Sequence, residues 1–468
     1  MAKTNLVWLR NDLRMADNPA LRAAHLGGAS VIALYVHETT KGVRSPGAAA
    51  RWWLHHSLRL LGKDLAERGI ELMVRSDDAE RVVSAVATEL DADEVFWNRR
   101  YAPAERAADT AIKEDLRSHG FAAHSCPGNV LVEPWDITTK QGKPYSVFTP
   151  FWKTLRDMPI AQPQQRPDAG HPIVGSNADD DYREPKWADK LGQHWKVGEA
   201  AAAREVADFL DRRLDDYAEG RDFPRKDVTS RLSPHLRFGE ISPRQVWHAA
   251  QAVAHADHTR QAAVDKFLSE LAWRDFNYHQ LYHRDDIATV PMQSKYAGVE
   301  WRQSEGDLTA WQQGRTGLPI VDAGMRELWE TGYMQNRVRM LTASLLAKNL
   351  LVDWRKGEQW FWDCLVDADV ASNPGNWQWV AGSGLDASPY FRIFNPVVQG
   401  DRFDSGGDYV RRWVPELAKV PDKWIHEPSA APKDVLEQAG VQIGETYPAP
   451  IVDLKESRVR ALEAAGRL

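Results

Sequence analysis

Short apolar runs open the chain, and longer segments patterned as helices separate them. Leu6-Val7-Trp8-Leu9, Val31 to Val36, Ile70 to Val74 and Glu94 to Trp97 are rich in strand-forming residues. Ala48 to Arg68 and Ala104 to His119 place apolar residues at helical spacing. Strand and helix in alternation predict a parallel sheet covered on both faces. Residues 1–130 are therefore expected to form a doubly wound α/β domain. No G-x-G-x-x-G turn and no P-loop lysine motif is present, which argues against the two commonest backbone cradles for dinucleotides and triphosphates.

From 131 to 199 the pattern fails. Prolines at 134, 144, 150, 159, 163, 167, 172 and 185 mark a connector expected to run over the surface. Residues 200–428 then read as an all-α domain, with helices expected over Glu199 to Tyr217, Ser242 to His255, Ala262 to Leu281, Asp322 to Thr331, Asn336 to Leu350 and Glu358 to Leu365. Residues 429–468 form a tail expected to wrap the surface.

Composition narrows the class. At 468 residues the chain is long enough for two or three domains. Its 2 cysteines rule out a disulfide framework and point to a reducing cytoplasm, and no leader or membrane-spanning apolar run is seen. The net charge of −7 gives no general case for nucleic-acid binding. Locally, Arg221, Arg225, Lys226, Arg231, Arg237 and Arg244 outnumber Asp222, Asp227 and Glu240, which as a charge run alone is an ordinary solvated face. The chain holds 20 tryptophans, far more than a core needs.

Three stretches carry candidate chemistry. Asp367 to Gly384 combines Asp367 and Asp369 with Trp377 and Trp379, and Asn373-Pro374-Gly375-Asn376 reads as a turn before a helix that starts near Trp377. Positions i and i+2 of a helix diverge by about 200°, so the two indoles should face different surroundings. Glu270, Trp273, Arg274 and Asn277 fall on one face of one helix, leaving Leu268, Leu271, Ala272 and Phe276 for an apolar face. Thr229-Ser230-Arg231-Leu232-Ser233 offers hydroxyls, backbone N–H groups and a cation near a helix start, suited to phosphate but equally to capping.

Five runs give these pieces a family. VWLRNDLRMADNPAL, TSRLSPHLRFGEISPRQVW, ELAWRDF, GLPIVDAGMRELWETGYMQNRVRMLTASLLAKNLLVDW and DADVASNPGNWQWVAGSGLDASPYFRIFNP together resemble the photolyase/cryptochrome flavoproteins, from Leu6 to about Pro428. The resemblance implies an antenna-binding α/β domain and a helical domain holding a U-shaped FAD. It implies that Tyr217, Thr229, Ser230, Arg231, Leu232 and Ser233 hold the FAD phosphates and ribityl chain, and that Glu270 and Arg274 border flavin and substrate. Phe267 also lies at the cofactor, where some members carry Trp. Asn336 and Arg339 would flank the cofactor, Asp367 and Asp369 lie beneath it, and Asn373 stand beside flavin N5. Trp377, Trp354 and Trp301 match an electron-transfer triad, and Trp273 and Trp379 the walls of a lesion pocket. Arg221, Asn277, Asn336, Arg337 and Met340 are implied at the DNA.

The implied activity is repair of cyclobutane pyrimidine dimers in UV-damaged DNA by a monomeric enzyme, with an electron from excited, reduced anionic FAD. A cryptochrome photoreceptor is one alternative, but Asn373 and Trp379 stand where plant cryptochromes carry Asp and Tyr, and no long signalling tail follows residue 430. A (6-4) photolyase is another, but it needs His at the positions of Asn336 and Met340. The antenna is expected to be methenyltetrahydrofolate in a shifted site, since Glu105 fits the usual folate pocket while Arg44 and Ala104 depart from it. 8-Hydroxy-deazaflavin is the alternative.

Overall fold

The computed structural model describes residues 3–168, 173, 182–284, 286–389 and 392–466; Pro172 of the connector and Tyr390 and Phe391 of the last family run lie outside them. Close packing sorts the chain into two units that do not follow chain order. One is Met1–Asp215 with Ser230–Asp285 and Asp369–Ala371; the other is Asp216–Thr229 with Asp286–Ala368 and Ser372–Leu468.

The first unit is built on a five-stranded parallel sheet of order β3-β2-β1-β4-β5, with β1 Thr4–Leu9, β2 Ser30–Glu38, β3 Glu71–Asp77, β4 Glu94–Asn98 and β5 Ala122–Cys126. Helices α1 Pro19–His25, α2 Ala48–Ala66, α3 Ala79–Glu89 and α4 Pro103–Ser118 join the strands. The doubly wound α/β expectation holds. β1 sits at the centre with Leu6, Val7, Trp8 and Leu9 all buried, as a strand covered on both faces must be. Trp8 meets Trp97 of β4 edge-on at 6.1 Å, inside a core that includes Leu34, Val83, Val95, Ile112 and Leu116. β5 escaped the sequence reading because Ala-Ala-His-Ser-Cys lacks an apolar run. As an edge strand it needs none: His124 bonds Glu94 at 2.6 Å and stacks on Phe96 at 4.7 Å.

The connector is not wholly a surface strap. Its helix Phe148–Asp157 buries Phe148, Phe151 and Leu155 at helical spacing. Phe148 stacks on Trp273 of α5, Gln261–His283, with ring centroids 3.8 Å apart.

The second unit is helical. It includes Pro319–Thr331, α6 Asn336–Ser344 with a π-helical extension Leu345–Asn349, α7 Trp354–Cys364 and α8 Ser372–Ala381. α8 starts five residues before the expected point. The Asn-Pro-Gly-Asn sequence forms its first turn, where Pro374 forfeits only an N–H that has no partner within the helix. The tail also departs from expectation, because it penetrates the unit instead of wrapping it. Tyr447 is fully buried and donates to Asp322 at 2.7 Å, and Ser457 accepts from Asn349 at 2.9 Å. Among the described residues, no helix is long and apolar enough to cross a membrane.

Asp322 collects the N–H of Thr316 at 2.7 Å, the Thr316 hydroxyl at 2.6 Å, the N–H of Gly317 at 3.0 Å and the Tyr447 hydroxyl. Tyr447→Phe removes one of these donors from a buried carboxylate and should lower the unfolding free energy by about 1–3 kcal/mol. The check is a denaturant midpoint that moves down at constant slope; an unmoved midpoint would show that the tail contributes nothing to this unit.

Candidate functional site

The expected site residues are divided between the two units. In the first, α5 carries Phe267, Glu270, Trp273, Arg274 and Asn277. Its polar face is less idle than the spacing suggests. Glu270 is held by Lys266 one turn earlier at 2.8 Å. Arg274 donates to the carbonyl of Asn129 at 2.7 Å and lies over the Tyr278 ring at 4.7 Å. Asn277 is buried, and Phe267 packs on Phe209 at 4.6 Å. Trp273 is half-buried, with Phe148 stacked on it.

Arg231 adopts a left-handed backbone, φ 48°, which is costly for a residue with a side chain, and its guanidinium lies over Trp195 at 4.3 Å. Leu232 is buried and Ser233 exposed at the start of the short helix Ser233–Phe238. Asp369 accepts the Tyr278 hydroxyl at 2.6 Å and the N–H of Ala371 at 3.0 Å.

In the second unit, the Arg339 guanidinium grips Asp367 with two bonds, 2.9 and 3.2 Å, and its Nε donates to Met334 at 2.6 Å. Burial pulls the Arg339 pKa down, but Asp367 more than offsets this, so the guanidinium stays charged. Asn373 donates its amide to both the carbonyl oxygen and the carboxylate of Glu358, at 3.0 and 2.8 Å. That fixes the amide's orientation, and its Oδ1 accepts no bond among the described residues.

Trp377 is 2% exposed, meets Phe361 at 5.0 Å and Trp311 at 6.2 Å, and has a buried indole N–H without an acceptor. A Cβ on Gly357 of α7 would come within 2.2 Å of this indole, so only glycine admits it. Trp354 opens α7, fully buried, with the Arg355 guanidinium 5.0 Å from its ring. Trp301 is half-buried, and the next residue is tied to the segment before Trp354 by Arg302 N–H to Leu351, 2.7 Å. Trp379 is half-buried, so the two indoles of α8 do face different surroundings.

On α6, Asn336 is exposed, with its amide 3.9 Å from the Met340 sulfur, and Arg337 is already paired with Asp222 at 2.6 Å. Arg221 lies over the ring of the buried Tyr217 at 5.4 Å, and Thr229 is half-buried. Beside Arg337 is a cavity of about 450 Å³, lined also by Arg392, Arg402, Phe394 and Phe403.

A model of the FAD binding domain of DNA photolyase matches residues 267–467, and a DNA photolyase model matches residues 5–168. The chain belongs to the photolyase/cryptochrome family. The Deoxyribodipyrimidine photo-lyase of Agrobacterium fabrum is 48% identical over 98% of this chain and 97% of its own length. Cryptochrome-1 of Arabidopsis thaliana is 36% identical over 99% of this chain and 70% of its own. Among solved structures, a bacterial class III photolyase from Agrobacterium tumefaciens superposes with a TM-score of 0.95 at 47% identity, covering 100% of this chain and 98% of that one.

Within this photolyase fold several structural partners were not foreseen. Glu358 gave no sequence signal. Gln378 sits between the two indoles of the quoted run, where its buried amide accepts from Met292 at 2.8 Å and donates to Ile287 and Val290 at 2.7 and 2.9 Å. Asp275 was passed over as the neighbour of Arg274. It is buried and accepts from Leu131 at 2.7 Å and Val132 at 3.4 Å, while its second oxygen has no hydrogen bond and only the Arg274 guanidinium at 3.6 Å.

Burial, opposed by Arg274 and those two N–H groups, pushes the Asp275 carboxyl up to about 7. Between its unfolded value of 3.8 and about 7 the native state holds a proton that the unfolded chain lacks, so stability from this group falls as pH rises across that window. From about pH 5 to pH 8 the protein should lose about 2–3 kcal/mol more unfolding free energy than Asp275→Asn. Identical pH slopes for the two proteins would place the Asp275 carboxyl at an ordinary acidity.

Proposed function

We propose that the protein is a deoxyribodipyrimidine photolyase, a monomeric enzyme that uses light to split cyclobutane pyrimidine dimers in UV-damaged DNA. The observation that carries the reading is the 48% identity to an enzyme of that name across nearly the full length of both chains. A cyclobutane dimer offers side chains neither a leaving group nor an acidic proton, so a cofactor must bring an electron while the protein positions and tunes it. Bound fully reduced and anionic, and excited by light, FAD supplies that electron and receives it back after the ring splits.

The side chains present fit that group. The amide nitrogen of Asn373 is spent on Glu358, so its carbonyl oxygen is the atom left to accept from a reduced flavin N5–H. The Arg339–Asp367 pair, Asp369 and Asn336 complete the ring's surroundings. Tyr217, Thr229, Ser230, Arg231, Leu232 and Ser233 take the phosphates and ribityl chain, with Phe267 and Arg274 along the same site. Glu270 offers the dimer a hydrogen-bonding group. Its bond to Lys266 involves a cation 42% exposed, so exchanging it for substrate costs little.

Photolyases flip the damaged nucleotides out of the duplex, at a cost of a few kcal/mol that is smallest for damaged bases. Trp273 and Trp379 each offer them an aromatic surface, Phe148 backing Trp273. Arg221, Asn277, Asn336 and Met340 line the DNA side, and Arg392 and Arg402 join Arg337 in neutralising backbone phosphates, since Asp222 cancels part of its charge. Trp377, Trp354 and Trp301 return an oxidised cofactor to service. With no acceptor for the Trp377 N–H, a positive hole there keeps its proton and moves on.

For the antenna, the crevice between the carboxyl ends of β1 and β4 is the usual ligand position in such a sheet. Here Arg10 pairs with Asp109 at 3.2 Å, Arg100 pairs with Glu38 and Asp109 at 2.5 and 2.7 Å, and the remaining cavity of about 20 Å³ has room for one water. Neither antenna fits that space, so methenyltetrahydrofolate held elsewhere is the proposed antenna, with 8-hydroxy-deazaflavin as the alternative. Glu105 lines this crevice, and its carboxylate caps α4 through the Ala102 N–H at 3.2 Å.

Reduced protein under blue light should restore oligonucleotides carrying a thymine dimer and leave them unchanged in darkness; repair confined to (6-4) lesions would overturn the assignment. Trp354→Phe should fold, bind FAD, lose most photoreduction of oxidised flavin and still repair dimers after chemical reduction. Wild-type photoreduction in that variant would show that the indole route bypasses Trp354.

A further inference from the structure

Within the first unit, two buried tyrosines stand edge to face with ring centroids 5.8 Å apart, Tyr101 after β4 and Tyr278 on α5. Each donates its hydroxyl to a different carboxylate: Tyr278 to Asp369 at 2.6 Å, Tyr101 to Glu133 at 2.8 Å. A phenol that loses an electron becomes a strong acid, so its oxidation is feasible in a protein interior only when a base already holds the proton. Both phenols meet that condition. Asp369 is further fixed by the Ala371 N–H, and Glu133 by Arg99 at 2.7 Å. The Arg274 guanidinium, 4.7 Å from the Tyr278 ring, disfavours a cationic radical and so favours electron loss coupled to proton loss.

We propose that Tyr278 and Tyr101 form a second electron-donating route, separate from the indoles, in which each electron moves together with a proton shift to the partner carboxylate. This rests on the reading of Asp369 as a residue beneath FAD. An electron passes from the Tyr278 phenol to photoexcited oxidised flavin while the hydroxyl proton goes to Asp369 Oδ2, leaving a neutral tyrosyl radical. Tyr101 then gives an electron to Tyr278 as Asp369 returns its proton, and the Tyr101 proton moves to Glu133 Oε2. The sum is one electron on the flavin, one proton on Glu133 and one neutral radical at Tyr101, which a soluble thiol quenches.

The test uses full-length, FAD-loaded, oxidised protein carrying Trp354→Phe, illuminated with blue light and read by electron paramagnetic resonance. The expected result is a neutral tyrosyl spectrum that forms more slowly in D2O. Adding Tyr278→Phe should abolish it, and adding Asp369→Asn, which keeps the shape but removes the base, should do the same. Adding Tyr101→Phe should retain the signal but shorten its lifetime. Flavin present without a tyrosyl radical, or a signal that survives Tyr278→Phe, overturns the proposal alone; purified protein without flavin absorption overturns it together with the reading beneath it.

Discussion

A large aromatic ring lies flush against a helix backbone only where the helix presents no side chain. Trp377 sits in that way on Gly357, and the consequences spread through the second unit. The contact sets the distance between α8, which carries Trp377, Asn373 and Trp379, and α7, which carries Trp354 and Glu358. Glu358 in turn fixes the Asn373 amide, and Phe361, one turn on from Gly357, meets the Trp377 ring at 5.0 Å. One close approach thus serves two tasks, orienting an amide and seating in a dry core the indole proposed to carry charge. The buried indole N–H without an acceptor fits that role, since its desolvation costs about 1–3 kcal/mol that a purely structural tryptophan would normally avoid.

The polar groups of the two units follow a common logic. Charges are buried only with partners of matching geometry, as in the bidentate Arg339–Asp367 pair and the Arg10, Arg100, Asp109 and Glu38 cluster at the sheet's carboxyl edge. The exceptions are informative. Burial pushes the carboxyl of Asp275, one of whose oxygens lacks a hydrogen bond, up to about 7, and Asn373 keeps a carbonyl oxygen in reserve.

Much of this was legible in the sequence. Val31 to Val36 and Glu94 to Trp97 announced buried parallel strands because covering both faces demands continuous apolar runs. The five family runs contain the proposed cofactor residues other than Tyr217 and Phe267. What was hidden depended on tertiary partners. Ala122–Cys126 forms a strand because an edge is offered to it, Phe148–Asp157 packs against α5 despite Pro150, and Asn373-Pro374-Gly375-Asn376 is helical because Pro at a helix start loses nothing. The burial of Tyr447 beneath Asp322 and the assignment of distant chain segments to one unit involve separations that no local pattern encodes. Gly357 lies just before the helix expected from Glu358; in α7 the Trp377 indole and Leu346 leave no room there for a side chain.

The most direct test of this account is Gly357→Ala in FAD-loaded, oxidised protein, followed by transient absorption after a blue pulse. A methyl group at that position must displace the Trp377 ring, so the account predicts retained flavin and a clearly slower or smaller tryptophan radical signal. Gly357→Ala with wild-type radical yield and rate would contradict it, since the seat of Trp377 would then not govern electron flow.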